Sequence, residues 1–312
     1  MSGGPVLVTG ASSGIGRHLT EELARRGRRV FATARREEDL AELARIDNVT
    51  AVPLDVRQAD SVQAVRETVE GAGGGLHGLV NNAGVGGLGS LASFTDEDLR
   101  DQFEVNVFGP HRLVNALLPM LLASGGRIVN VGSQGGMLSK ALFGPYTMTK
   151  HALEAYTTAL AEELAPHGVF VGIVQPGGVV SEIGRKSWPG TEARLKRAPP
   201  PFDVEARELL TAMREALETE ASEGEGAEQD APESEEHRRP SPPSVVTEAV
   251  IDVLESERPR RRTLVGTRRE GERVLAELFA RILDANDCPS LRHDRERLIA
   301  WLDEVAQERL ES

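Results

Sequence analysis

Tyr146 and Lys150 stand four residues apart in Tyr146-Thr147-Met148-Thr149-Lys150, a spacing that puts both on one face of a helix, one turn from each other. Pro145, just before them, suits the first turn of such a helix because no backbone donor is missed there. An ammonium beside a phenol favours the phenolate and lowers the tyrosine's pKa from its usual ~10. That pair can trade a proton with an alcohol or a ketone near neutral pH. Ordinary exposed helices also produce this spacing, so it carries weight only with partners from elsewhere in the chain.

The elements that must position those partners follow from hydrophobic periodicity. Val6-Leu7-Val8-Thr9 reads as a buried strand and feeds directly into Gly10-Ala11-Ser12-Ser13-Gly14-Ile15-Gly16. A helical pattern (Leu19, Leu23, Ala24) follows and stops at Gly27. Strand, glycine turn and helix form the first half of a dinucleotide-binding unit, whose glycines let the backbone approach a pyrophosphate at the helix N-terminus. The spacing is GxxxGxG, not the generic GxGxxG. Further strands are expected at 30–33, 49–54, 79–82, 128–131, 170–174 and 263–266, with helical patterns between them. This alternation predicts an α/β fold, a Rossmann-type doubly wound parallel sheet of about seven strands with helices on both faces. Ligands in such sheets bind at the C-terminal ends of the strands.

Those strand ends carry most of the polar residues of interest. The second strand closes on Ala34-Arg35-Arg36, with no acid before Glu37 to bond a ribose 2′-hydroxyl. A guanidinium near a 2′-phosphate gains on the order of 4 kcal/mol at 4 Å in a surface-like medium, which favours NADP(H) over NAD(H). The plainer reading is two solvated arginines at a strand end. Asp55 could accept from an adenine amino group or be an ordinary loop aspartate. Asn81 and Asn82 could tie neighbouring strands together, while Gly84 leaves room for a cofactor. Asn106 lies inside a helical pattern close to Gly109-Pro110, which could open the helix locally and free a carbonyl for water. Met137, Leu142, Phe143 and Met148 could line an apolar pocket, with buried core expected for at least two of them.

The organisation expected is a single domain over 1–312. Within it, 182–216 is a lid or a long connection without clear periodicity until a helix at 204–216. Residues 219–244 form an acidic, Gly/Pro/Ser-rich insertion expected to be disordered. A C-terminal strand and helices occupy 245–312, with apolar stripes at Leu275, Leu278, Phe279, Ile282 and Leu283 and at Leu298, Trp301, Leu302 and Val305, suited to packing or subunit contact. The formal charge of −13 is concentrated in the insertion, since ten acidic and no basic residues lie between Glu215 and Glu236. With no basic stripe interleaved with aromatics, nucleic-acid binding is not expected. Cys288 is the only cysteine, which excludes an intrachain disulfide and a Cys-rich metal site, and no metal is expected. Apolar runs such as 117–123 fall far short of the ~20 residues that span a bilayer. Met1-Ser2-Gly3-Gly4-Pro5 lacks a secretion signal, so a cytoplasmic location is expected.

In chain order, Thr9-Gly10-Ala11-Ser12-Ser13-Gly14-Ile15-Gly16, Asp55, Asn81-Asn82-Ala83-Gly84, Asn106, Ser133, Tyr146 with Lys150, and Pro176-Gly177 resemble the short-chain dehydrogenase/reductase family in its ordinary, non-extended branch. The likeness covers roughly residues 5–181 and, more weakly, 245–266. A weaker similarity, resting on Ala34-Arg35 and the long C-terminal region, points to NADP-linked 17β-hydroxysteroid and retinol dehydrogenases. The resemblance implies that Tyr146 is the general acid/base and that Lys150 lowers its pKa and bonds the nicotinamide ribose. It implies that Ser133 holds the substrate oxygen and that Asn106 holds a water in the proton relay. Cofactor contacts are implied for Gly10, Ser12, Ser13, Gly14, Ile15 and Gly16, for Arg35, Asp55 and Val56, and for Asn82, Ala83 and Gly84. They are implied equally for Tyr146, Lys150, Pro176, Gly177, Val179 and Ser181. Thr149 stands where serine is usual and keeps a hydroxyl, and Ser181 stands where threonine is common, losing a methyl contact. The implied activity is NADP(H)-dependent hydride transfer to or from an alcohol, ketone or aldehyde group of a fairly apolar small molecule, in a homodimer or homotetramer. The alternative is a non-catalytic NADP(H)-binding sensor, against which the intact Asn106–Ser133–Tyr146–Lys150 set argues. A nucleotide-sugar epimerase or dehydratase of the extended branch is disfavoured by Asn81-Asn82-Ala83-Gly84 and by the GxxxGxG spacing.

Overall fold

The strands are short runs of apolar residues buried on both faces, the pattern a covered parallel sheet demands. The computed structural model describes residues 4–180, 183–223, 240–290 and 292–311. In chain order the first half comprises β1 (Val6–Val8), α1 (Gly14–Arg25), β2 (Val30–Ala34), α2 (Glu37–Leu43), β3 (Val49–Pro53), α3 (Ala59–Gly71) and β4 (Gly78–Asn81). The second half comprises α4 (Asp96–Phe103), α5 (Gly109–Ser124), β5 (Arg127–Val131), α6 (Gly144–Leu164), β6 (Phe170–Pro176), α7 (Ile183–Lys196), α8 (Asp203–Glu223), α9 (Pro243–Glu255) and β7 (Arg262–Val265). All seven strands pair in parallel in the order β3-β2-β1-β4-β5-β6-β7. The expected Rossmann-type sheet is therefore present, and its strand order reverses between β1 and β4, where a crevice opens at the C-terminal ends.

Alternation along β1 divides the core into two layers. Val6 and Val8 face one side, where Leu19 and Leu23 of α1 pack with Val246, Val250 and Val253 of α9. Leu7 faces the other, among Val65 and Val69 of α3, Leu113, Leu117 and Leu121 of α5, and Leu160 and Leu164 of α6. Each fully buried side chain of this kind contributes roughly 1.5–3 kcal/mol. That anchorage holds the loops at the strand ends against a rigid floor.

Three expectations need correction. Residues 182–202, read as aperiodic, contain α7, with Pro189 inside it. The face it buries carries Thr191 and Arg194 beside Leu195, so a helix that docks through polar groups leaves no apolar stripe to detect. The insertion expected to be disordered over 219–244 is helical to Glu223, and α9 already begins at Pro243. Glutamate and alanine are good helix formers, so acidity does not stop α8; residues 224–239 lie outside the described residues. Finally, the chain divides into two compact units, Met1–Thr267 and Arg268–Ser312.

The second unit contains α10 (Arg268–Asn286) and α11 (Arg295–Glu311). Asn286 Nδ2 donates to the His293 carbonyl and Asn286 Oδ1 accepts from the His293 amide, closing the turn between them. The stripe on α10 is exposed at Leu275, Phe279, Ile282 and Leu283. Among the described residues, no helix is long and apolar enough to cross a membrane.

Candidate active site

The crevice at the strand ends is a cavity of about 470 Å³, within the ~300–1,000 Å³ common for small-molecule sites. Its floor is the glycine turn between β1 and α1. Gly10 adopts φ +66°, and a Cβ on it would come within 2.9 Å of Ala83 Cα. A Cβ on Gly16 would strike the Gly10 carbonyl oxygen and Asn82 Nδ2. Asn82 Nδ2 donates to the carbonyl oxygens of Thr9 and Gly10 at 2.8 and 3.2 Å, and Thr9 Oγ1 accepts from the amides of Asn82 and Ala83, each at 2.9 Å. The turn is thereby clamped to the end of β4. Helix α1 begins with no acidic residue in its first turn and no side-chain cap from Ser13. Its positive end thus faces the cavity as a site for an anion.

The opposite wall is built from β5 and α6. Ser133, Tyr146 and Lys150 all line the cavity with the glycine turn. Tyr146 is half-buried, Lys150 is 7 % exposed, and Lys150 Nζ donates to the Val131 carbonyl oxygen at 3.0 Å. Burial pushes the Tyr146 phenol above its ordinary value, opposed by a hydrogen bond with Ser133. Burial also lowers Lys150 to about 8, partly offset by the carboxylate of Glu154 one turn further along α6. Glu154 is held in turn by Gln175 Nε2 at 2.7 Å and by Arg262 Nε at 3.3 Å. The expected lowering of the Tyr146 pKa by Lys150 is thus not what this arrangement produces. Lys150 Nζ lies 5.8 Å from the ring centroid, and desolvation of the phenolate is the dominant influence, with the Ser133 hydrogen bond opposing it.

Asn106 sits behind this wall in a π-helical stretch, Glu104–Phe108, between α4 and α5. Its Oδ1 accepts from the Val85 amide and its Nδ2 donates to the Val85 carbonyl, both at 2.9 Å. Nδ2 also donates to Thr149 Oγ1 at 3.0 Å, so the hydroxyl retained at position 149 is in use. The irregularity expected near Gly109-Pro110 is present, one turn earlier than those residues.

The matching family model, short chain dehydrogenase, covers residues 5–192, more than half of the chain. The chain belongs to the short-chain dehydrogenase family. Among its relatives, the uncharacterized oxidoreductase YbbO of Escherichia coli K12 is 38% identical over 176 residues, 56% of this chain and 65% of YbbO. The aligned stretch therefore spans just under two thirds of that relative. An NADPH-dependent 3-dehydrocapnine reductase of Ornithobacterium rhinotracheale is 36% identical over 193 residues, 59% of this chain and 68% of the reductase. A Burkholderia phymatum short-chain dehydrogenase/reductase crystallised with NAD superposes with a TM-score of 0.71 at 27% identity, covering 91% of this chain and 94% of its own.

Within this family member the cavity gathers nearly every residue picked from the sequence. Gly10, Ser12, Ser13, Gly14, Ile15, Arg35, Asp55, Val56, Asn82, Ala83, Gly84, Pro176, Gly177 and Val179 line it beside Ser133, Tyr146 and Lys150. Gly16 lies beneath the turn and Asn106 behind the Val85 loop, while Ser181 lies outside the described residues. Asn81 Nδ2 donates to Asn130 Oδ1 at 2.9 Å, joining β4 to β5. The two arginines after β2 differ: Arg36 is paired with Asp39 at 2.6 Å, whereas Arg35 lines the cavity. The Asp55 carboxylate is already engaged by Arg57 Nη2 at 2.6 Å, which holds it below the usual carboxylate range. Met137, Leu142, Phe143 and Met148 are absent from the cavity wall, and none of them is buried core. Ile183, Lys186 and Ser187 of α7 were missed. The available signal was polar: Ser187, Thr191 and Arg194 recur at i, i+4 and i+7.

Proposed function

We propose that this chain is an NADP(H)-dependent oxidoreductase that interconverts an alcohol and a carbonyl group on a fairly apolar small molecule. The observation that carries the reading is one cavity bounded on one side by the glycine turn and on the other by Ser133, Tyr146 and Lys150. The glycine cradle fits a dinucleotide, because the turn has no side chain where Gly10 and Gly16 meet their neighbours and α1 points its positive end into the space. Arg35 supports NADP(H) over NAD(H), since among the described residues it lines the cavity without an ion pair while Arg36 is tied to Asp39.

When bound, the nicotinamide supplies or accepts the hydride. The remaining work falls to this chain's own groups. The Tyr146 hydroxyl donates its proton to the substrate oxygen during reduction and takes it back during oxidation. A phenol kept neutral by burial is suited to the donating direction. Ser133 orients both the phenol and the substrate oxygen. Lys150 places a cation beneath the phenol as negative charge develops there. Asn106 holds the Val85 loop against the site and anchors the outer end of the relay. The substrate's apolar part would meet Val85, Val105, Val179 and Ile183 in the cavity wall.

A panel of ketones, aldehydes and alcohols followed at the NADPH absorbance band tests the assignment. Turnover of at least one apolar carbonyl compound is expected. A panel-wide absence of turnover, with NADPH bound tightly, would favour a sensor.

A further inference from the structure

Helix α7 brings to the cavity a charged residue that belongs to none of the motifs above. Lys186 Nζ donates to Ser13 Oγ, in the glycine turn, at 2.5 Å. Lys186, Ser13 and Arg35 line the same cavity. The helix is anchored for this reach by polar bonds to an extended loop. Ser187 Oγ accepts from the Gly86 amide at 3.2 Å, Thr191 Oγ1 accepts from the Leu88 amide at 3.3 Å, and Arg194 Nε donates to the Leu88 carbonyl at 3.2 Å.

The charges in this corner are unevenly satisfied. Asp39 accepts from Arg36 at 2.6 and 2.9 Å. That bond chiefly holds the Asp39 carboxyl below the usual range, and Lys186 and Arg35 add smaller effects in the same direction. Both cations therefore act on one corner without pairing to its carboxylate. Among the described residues, Arg35 makes no hydrogen bond or ion pair, and the hydroxyl that orients Lys186 brings no counter-charge.

We propose that Lys186 is a second cation for the 2′-phosphate of NADP(H), supplied by α7 to complement Arg35 at the end of β2; this rests on the NADP(H) reading above. A phosphate monoester carries nearly two negative charges at neutral pH and accepts charge-assisted bonds from several directions. Arg35 meets it from the sheet side and Lys186 from α7, whose ammonium reaches the glycine turn at Ser13. NAD(H) presents a hydroxyl at that position and gains nothing comparable. The pyrophosphate, common to both cofactors, is served by the N-terminus of α1.

Dissociation constants for NADPH and NADH, from nicotinamide fluorescence, test this on the full chain. Lys186 is exposed, so Lys186→Gln leaves the core untouched. NADPH should weaken about tenfold while NADH stays within about twofold, and Lys186→Arg should retain the wild-type preference. Adenosine 2′,5′-bisphosphate competing for the site should lose affinity in Lys186→Gln, and AMP should not. Equal weakening of both cofactors would move Lys186 to the pyrophosphate, and unchanged constants would leave it a solvated lysine; either overturns the proposal. A wild-type protein that binds NADH as tightly as NADPH defeats the NADP(H) reading itself. Wild-type preference for NADPH that survives Lys186→Gln defeats only the role of Lys186.

Discussion

Lys150 Nζ stands 5.8 Å from the centre of the Tyr146 ring and donates to the Val131 carbonyl oxygen at 3.0 Å. One turn of α6 delivers both groups to the cavity, and the end of β5 fixes where the ammonium rests. The two side chains share a desolvated wall with opposite consequences. Burial disfavours the phenolate of one and the ammonium of the other, so both are pushed towards their neutral forms.

Tyr146→Phe removes the hydroxyl and little else. Turnover should fall by at least ~100-fold, the scale of a lost general acid/base, with NADPH affinity little changed. Steady-state rates and a fluorescence titration on the same preparation check this. A variant that kept most of its activity would take Tyr146 out of the proton transfer.

Lys150 makes stability depend on pH in a defined window. Its folded value is about 8 against an ordinary 10.5, so between these values the unfolded chain binds the proton that the folded chain has released. Stability from this group therefore rises with pH across that window, and the penalty present below pH 8 is about 3 kcal/mol, from ~1.4 kcal/mol per pKa unit. Lys150→Met should lack that rise and be inactive. Urea unfolding at several pH values from 7.5 upward, expressed as the difference between the two proteins, measures it. A flat difference would mean that Lys150 is not desolvated.

Arg35→Asp should reverse the charge presented to the 2′-phosphate. The ratio of kcat/KM for NADPH over NADH should fall by well over tenfold, given a loss on the order of 2 kcal/mol or more. An unchanged ratio would show that Arg35 is a solvated side chain at a strand end.

Gly16→Ala would press a methyl group into the Gly10 carbonyl oxygen and Asn82 Nδ2, neither of which has slack, since Asn82 is bonded to both Thr9 and Gly10. Overpacking of this kind costs roughly 1–3 kcal/mol. Thermal unfolding should occur at a lower temperature, and the affinity for both NADPH and NADH should drop together. Full retention of dinucleotide binding would mean that the turn tolerates displacement.

Much of this site is written in local spacing. A strand, a glycine turn and a helix start are contiguous, and a tyrosine and a lysine four apart share a helix face whatever surrounds them. The parallel sheet follows from apolar runs that recur between helical patterns, since such strands need cover on both faces. The sequence by itself therefore determined the sheet, the crevice at its strand ends and the groups gathered there. Only the tertiary structure decided the behaviour of those groups. Desolvation raised Tyr146 where adjacency to Lys150 suggested lowering, because burial depends on every element packed around the hydroxyl. Pairing with Asp39 occupied Arg36, leaving Arg35 to face the cavity. Helix α7 docks through hydroxyls and a guanidinium bonded to backbone, so hydrophobic periodicity could not announce it. Its Lys186 reaches Ser13 across 173 positions of chain, a contact that exists only because the parallel sheet turns the C-terminal ends of β1 and β6 to the same side.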